Sequence, residues 1–317
     1  MNDFYILSIF LIILLILLIY LQNREKYYNW MVKFKKNELN LEDFFFKDIQ
    51  HLKKSSKRKI WIHIPTDKNA RKWESFSSRN THNLNADYIA LCIKSIIDHC
   101  GQYYDIIIID DEHLYNLLPE HNIDLSKLSG SLLDKYRHNA LLHILYKYGG
   151  ILMPPSLFLR DSIYKIDEPN KFYVVEMANQ GQHSTMEDFI YSTQFMASNA
   201  NNPILGAYLN EYSESCLKDL TLENDHFNHQ ILKKMDIPKL DGKYIGVKNI
   251  KNEKILLEDL MESKQINLCN ECIGLYIPHR ELMKRNNYNW FVYLNPEQVL
   301  ESNIFISKFM IYSNKYK

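Results

Sequence analysis

Three kinds of hydrophobic pattern run along this chain. The first is an unbroken block. Phe4 to Leu21 carries no charge and is dominated by Ile and Leu. Eighteen residues at ~1.5 Å rise reach about 27 Å, the thickness of a bilayer core. A secretory signal would want a basic start and a small-residue cleavage site. The chain instead begins Met1-Asn2-Asp3 and leaves the block through Tyr20-Leu21-Gln22-Asn23. No polar stripe breaks the block, as one would in a helix packed on a protein core. The pattern therefore predicts an uncleaved transmembrane helix over 4–21.

The second pattern is the short apolar run bounded by breakers. Ile60-Trp61-Ile62-His63-Ile64 ends at Pro65, and Tyr104-Asp105-Ile106-Ile107-Ile108-Ile109 ends at Asp110-Asp111. Neither alternates, as expected of parallel strands buried on both faces. Phe172-Tyr173-Val174-Val175-Glu176 predicts another strand. Tyr244-Ile245-Gly246-Val247 and Trp290-Phe291-Val292-Tyr293 predict two more.

The third pattern has a helical period. Asn83 to His99 places Leu84, Tyr88, Leu91, Cys92 and Ile96 on one face, and Leu114 to Leu118 continues in kind. Ser131 to Tyr148 is the clearest case. Ser131 with Asp134 forms a capping-box pattern, and Leu133, Tyr136, Ala140, Leu141, Ile144, Leu145 and Tyr148 form the apolar stripe. Gly149 or Gly150 supplies the C-cap. Ile190 to Ala197 and Pro203 to Lys218 predict further helices around the turn Asn199-Ala200-Asn201-Asn202. Strands alternating with helices predict a parallel α/β sheet. No internal repeat is evident.

Composition adds limits. The 317 residues hold 38 Lys+Arg against 38 Asp+Glu, so no global field draws the chain to nucleic acid. Basic residues follow the apolar block at Arg24, Lys26, Lys33, Lys35 and Lys36, and again at Lys53, Lys54, Lys57, Arg58 and Lys59. The positive-inside rule places the large C-terminal part of a single-pass membrane protein on the cytoplasmic side. Residues 22–57 mix these charges with Tyr27, Tyr28, Trp30 and Phe44-Phe45-Phe46. They form either a juxtamembrane stalk against membrane lipid or a packed part of the main domain. The main domain is expected over 58–317. Five cysteines, Cys92, Cys100, Cys216, Cys269 and Cys272, suit a reducing compartment rather than a disulfide framework. Cys269-Asn270-Glu271-Cys272 lacks a second ligand pair, so it reads as ordinary thiols near a turn.

Four segments carry a resemblance: Ile60 to Ile64, Asp134-Lys135-Tyr136-Arg137, Tyr148-Gly149-Gly150-Ile151-Leu152, and Gln194 to Ser198 with Asn202-Pro203-Ile204-Leu205. In this order they resemble the capsular polysaccharide synthesis and Och1-like glycosyltransferases, a sugar-binding family with a DXD motif. Large DNA viruses carry similar proteins, and the Asn-, Lys- and Ile-rich composition suits such a source. The resemblance spans about residues 58 to 235. It implies a GT-A-like fold, a Rossmann-type mostly parallel sheet flanked by helices. It implies a nucleotide-sugar donor and a glycan or lipid-linked acceptor.

The resemblance also implies residue roles. Asp134 and Arg137 fall near the donor sugar. Gly149, Gly150 and Ser156 mark the donor loop, and His63 in the first strand and Arg79 after it are further donor-binding candidates. Without the resemblance, Asp134 caps its helix and Arg137 pairs with it at i,i+3. Asp225-His226-Phe227 resembles an Asp-Tyr-Phe-containing segment of capsular-type relatives, which makes Asp225 a candidate base for the acceptor hydroxyl, or else it caps a helix. His226 and His229 alone do not make a metal site. The family's Mn²⁺ or Mg²⁺ is held by two carboxylates, but those positions here are Pro154 and Ser156. Hard divalent cations want anionic oxygen ligands. Asp110 and Asp111 offer an alternative metal pair at the edge where α/β sheets bind ligands, or they are helix N-terminal charges. Lys68, Arg71 and Arg79 offer a cationic substitute. A scaffold that has lost transfer and kept binding is the competing reading.

Overall fold

The computed structural model describes residues 11–18, 21, 41–65, 86–120, 125–169, 171–181, 187–215 and 224–313. Two compact units divide the chain, Met1–Leu41 and Glu42–Lys317. In the first, residues 11–18 are α-helical and exposed. Among the described residues no helix is long and apolar enough to cross a membrane. The rest of the expected span and residues 22–40 lie outside the described residues.

The second unit holds the α/β fold. Its elements in chain order are α1 (Ile49–Lys54), β1 (Arg58–His63), α2 (Asp87–Cys100), β2 (Tyr104–Ile109), α3 (Asp111–Leu117), α4 (Gly130–Tyr148), β3 (Gly150–Leu152), β4 (Leu157–Leu159), β5 (Tyr173–Ala178), β6 (Phe189–Ser198), α5 (Pro203–Ser215), α6 (Asn224–Lys234), β7 (Lys239–Leu240), α7 (Leu257–Met261), β8 (Gly274–Tyr276), α8 (His279–Lys284), α9 (Pro296–Glu301) and α10 (Phe305–Ser313). Among the described residues six strands form one sheet in the order β2-β1-β3-β6-β5-β7, and β4 pairs with β8 in a second. β1 runs parallel to β2 and β3, and β5 parallel to β7, while β6 is antiparallel to β3 and β5. Helical crossovers link the parallel strands β1, β2 and β3, as parallel pairing requires.

The non-alternating runs are buried on both faces. Trp61, Ile107 and Ile109 join Leu142, Leu145, Val174, Met196, Tyr208 and Tyr212 in the main core, where α3 to α6 cover the sheet. Ile60, Ile62, Ile106 and Ile108 alternate with the first three and are equally buried, on the opposite face. Phe46 and Leu52 also belong to the main core. Phe45 forms a parallel bridge to Ile108, and Phe46 N donates to Ile108 O at 2.8 Å. The segment after residue 41 thus extends the sheet edge and packs as part of the domain.

Several sequence expectations are corrected. Ile190 to Ala197 is strand β6, not a helix. It lies between β3 and β5, and its β-branched and aromatic residues suit that central place. Tyr244 to Val247 and Trp290 to Tyr293 are not strands: 3₁₀ turns occupy Gly242–Ile245 and Asn289–Tyr293. Gly246 closes the first turn at φ 68°, which a strand excludes. The Ser131–Asp134 capping box is absent. Ser129 is the N-cap of α4 and makes no side-chain cap bond. The most buried stripe of α4 is Lys135, Arg137, His138, Leu142, Ile144 and Leu145. The expected stripe packs on the core, Ile144 and Leu145 within it and Leu133, Tyr136, Ala140, Leu141 and Tyr148 against it, while polar side chains occupy part of the helix's inner face.

Candidate functional site

The carboxyl ends of β1 and β2 gather charged side chains. His63 is the last residue of β1, and Asp110-Asp111 follow β2. α4 runs back against these strands before β3, so its first turns lie at the same edge. There Arg137 donates to both oxygens of Asp111, Nε to Oδ1 at 3.0 Å and Nη2 to Oδ2 at 2.6 Å. His63 Nε2 donates to Asp111 Oδ1 at 3.1 Å. The three side chains are mostly buried, with 12% of His63, 16% of Asp111 and 9% of Arg137 exposed. Burial alone would raise the Asp111 pKa. The hydrogen bonds and charges of His63 and Arg137 outweigh it and hold the carboxyl below its usual value.

Asp110 has another role. Its Oδ1 accepts from the backbone N of Glu112 and of His113, each at 3.0 Å, and caps α3. Asp134 accepts from Arg280 Nη2 at 3.1 Å, and its other oxygen lies 3.9 Å from Arg137 Nη1. The bare i,i+3 pair is therefore secondary. Arg137 binds Asp111 across the sheet edge, and Asp134 turns to α8.

The C-terminal segment reaches this edge through β8. Ile277 N donates to Ser156 O at 3.1 Å, and His279 Nδ1 bonds the buried Tyr88 hydroxyl. Tyr276 Oη donates to Gln194 Oε1 at 3.1 Å. Tyr88, Tyr276, His279 and Arg280 carry no motif that marks them in the sequence. Beneath the cluster, Tyr208 Oη donates to Asn228 Oδ1 at 2.6 Å, and Asn228 Nδ2 donates to Thr193 Oγ1 at 3.0 Å. Thr193 Oγ1 lies 2.9 Å from His138 Nε2. Burial first, and the Arg280 charge second, push the His138 pKa down to about 3.

The remaining expected residues separate. Gly149 and Gly150 start β3 at the opposite edge, about 18 Å along α4 from Arg137. Both are closely packed there. Gly150 sits at φ 117°, and a Cβ there would meet Lys59 O at 2.5 Å. Gly149 sits at φ 65°, and its carbonyl accepts from Trp61 Nε1 at 2.8 Å. Ser156 is buried in the turn before β4. Asp225 is the second residue of α6, and its side chain, like all of Arg79, Lys68 and Arg71, lies outside the described residues. His229 bonds Tyr191 N at 3.0 Å and Glu187 Oε2 at 2.5 Å, which ties α6 to β6.

The metal of the resembled family does not fit these residues. Met153, Pro154 and Ser156 are buried and bring no carboxylate. Asp110 is taken by the α3 cap and Asp111 by Arg137 and His63. Among the described residues no group of three or more His, Cys, Asp or Glu is placed to hold a metal. Cys269 and Cys272 are free thiols across a turn, where Cys272 N donates to Cys269 O.

Solved structures that align with part of the chain include glycosyltransferases. PaToxG glycosyltransferase aligns over 56% of this chain and 69% of its own, at 17% identity and a TM-score of 0.34. GlyE from Streptococcus pneumoniae TIGR4 aligns over 60% of this chain at 12% identity and a TM-score of 0.34. The match covers 46%, about half, of GlyE's own length. Galactosyltransferase LgtC, in complex with donor and acceptor sugar analogues, aligns over 59% of this chain and 74% of its own, at 12% identity and a TM-score of 0.32. No family model matches the chain. No curated protein matches it.

Proposed function

We propose that this chain is a glycosyltransferase of the Och1-like kind that binds a nucleotide sugar at the carboxyl edge of β1 and β2. The observation that carries the reading is the convergence of His63, Asp111 and Arg137, with Asp134 and Arg280 beside them. Ligands of open α/β sheets sit at this edge, where strand ends and helix starts leave a crevice. The mostly buried Asp111 fixes the Arg137 guanidinium in one orientation, so a bound anion meets a preorganised cation. In the transfer step an acceptor hydroxyl oxygen attacks the anomeric carbon. The bond from that carbon to the diphosphate oxygen breaks, the nucleoside diphosphate leaves with the electron pair, and a base takes the hydroxyl proton. Asp225 is the base we propose. The acceptor is a glycan or a lipid-linked sugar. The apolar block 4–21 anchors the chain, with the domain on the cytoplasmic side.

One observation favours a second reading, a glycosyltransferase scaffold that binds and no longer transfers. The two positions that carry carboxylates in the resembled family are Pro154 and the buried Ser156. A panel of nucleotide sugars, assayed for nucleoside diphosphate release and for thermal stabilisation of the full chain, separates the two. Release that falls in an Arg137→Met variant supports transfer. Stabilisation without release supports the binding scaffold. Neither response to any donor sinks both.

A further inference from the structure

The Asp134 carboxylate lies between two guanidiniums. Oδ2 is 3.1 Å from Arg280 Nη2, and Oδ1 is 3.9 Å from Arg137 Nη1. The three groups are held unequally. Arg137 is 9% exposed and bound at two points by Asp111, whereas Asp134 is 41% exposed and Arg280 35%. Exposed ion pairs contribute little, so Asp134 can turn into water at small cost while Arg137 stays fixed. Arg280 is brought to this place from the chain's far end. Ile277 is tied to the Ser156 turn and His279 to Tyr88, and Arg280 follows directly.

We propose that Asp134 is an internal placeholder for a phosphoryl group. A nucleoside diphosphate displaces it, and Arg137 and Arg280 hold the diphosphate without a divalent cation. This rests on the nucleotide-sugar reading and deepens it. A carboxylate and a phosphoryl group offer guanidiniums the same pair of anionic oxygens, so the side chain marks where those oxygens sit. The missing carboxylates at positions 154 and 156 fit the same picture, since a site built on arginines has no use for metal ligands. It also reverses the role the resemblance implies for Asp134. The carboxylate competes with the donor instead of contacting it.

The test titrates the full chain with UDP, GDP, ADP and inorganic pyrophosphate by calorimetry, first in EDTA and then in Mn²⁺. At least one nucleoside diphosphate binds in EDTA. Asp134→Asn tightens that binding by about threefold to tenfold, because it removes the competitor. Arg280→Gln weakens it about tenfold or more. Unchanged melting temperatures in both variants show that the fold is intact. Weaker binding by Asp134→Asn overturns the placeholder. Binding that needs Mn²⁺ overturns the metal-free site and leaves the nucleotide-sugar reading standing. Pyrophosphate binding tightened by Asp134→Asn, with no nucleotide bound, supports the anion site and removes the nucleotide-sugar reading. No binding of any probe overturns both.

Discussion

At the scale of single residues, neighbouring groups give a side chain its role. Gly150 shows this most simply. Its φ of 117° and the 2.5 Å approach of Lys59 O leave no room for a side chain. Gly150→Ala is expected to destabilise the domain by about 2–4 kcal/mol, read from denaturant unfolding. From its place along the chain the same residue reads as a helix stop. His138 makes a second case. In the fold it stays neutral down to a pKa of about 3, while in the unfolded chain it titrates near 6.5. The unfolded state therefore binds the extra proton over that interval. The stability His138 contributes is complete above pH 6.5 and is lost as pH falls towards 3, by about 1.4 kcal/mol per pH unit. Urea midpoints measured across this range should flatten in a His138→Gln variant. An equal slope in wild type and variant would refute the assignment.

At the scale of elements, the parallel strands β1 and β2 are legible because an all-apolar β-branched run has few other places to go. β6 is not, since Ile190 to Ala197 suits a helix until its two neighbours are known. Pairing with both β3 and β5 satisfies its backbone and decides the matter. Helix α4 is legible as a helix with an apolar stripe on the core, but not in the polar side chains buried beside that stripe. The expected stripe includes Leu141, yet the structure buries Leu142 fully and leaves Leu141 partly exposed. Leu142→Ala should cost about 2–5 kcal/mol of stability and Leu141→Ala clearly less. Equal losses in thermal unfolding would mean that the helix is turned the other way. These buried polar side chains matter for function, because Arg137 meets Asp111 and His138 meets Thr193.

At the scale of the whole molecule, the compact unit begins at Glu42 rather than at the first strand. Phe46 and Leu52 are buried in the main core. A chain that starts at Glu42 should fold with an unchanged cooperative transition. One that starts at Arg58 should lose about 3–6 kcal/mol, the burial of two large apolar side chains. Far-ultraviolet circular dichroism against temperature reads both. The candidate site has the same whole-molecule character. It draws on β1, the β2–α3 junction, the first turns of α4 and the start of α8, which are up to 217 positions apart between His63 and Arg280.

The sequence by itself determined the α/β class, the first two strands, the long helix before Gly149 and the absence of carboxylates at positions 154 and 156. These follow from period, breakers and residue identity, which are local. Only the tertiary structure decided that Arg137 belongs to Asp111, that Asp134 belongs to Arg280, and that the two glycines lie at the far edge. Charged groups pair through space, and no spacing along the chain encodes which carboxylate a folded sheet edge will bring to which guanidinium.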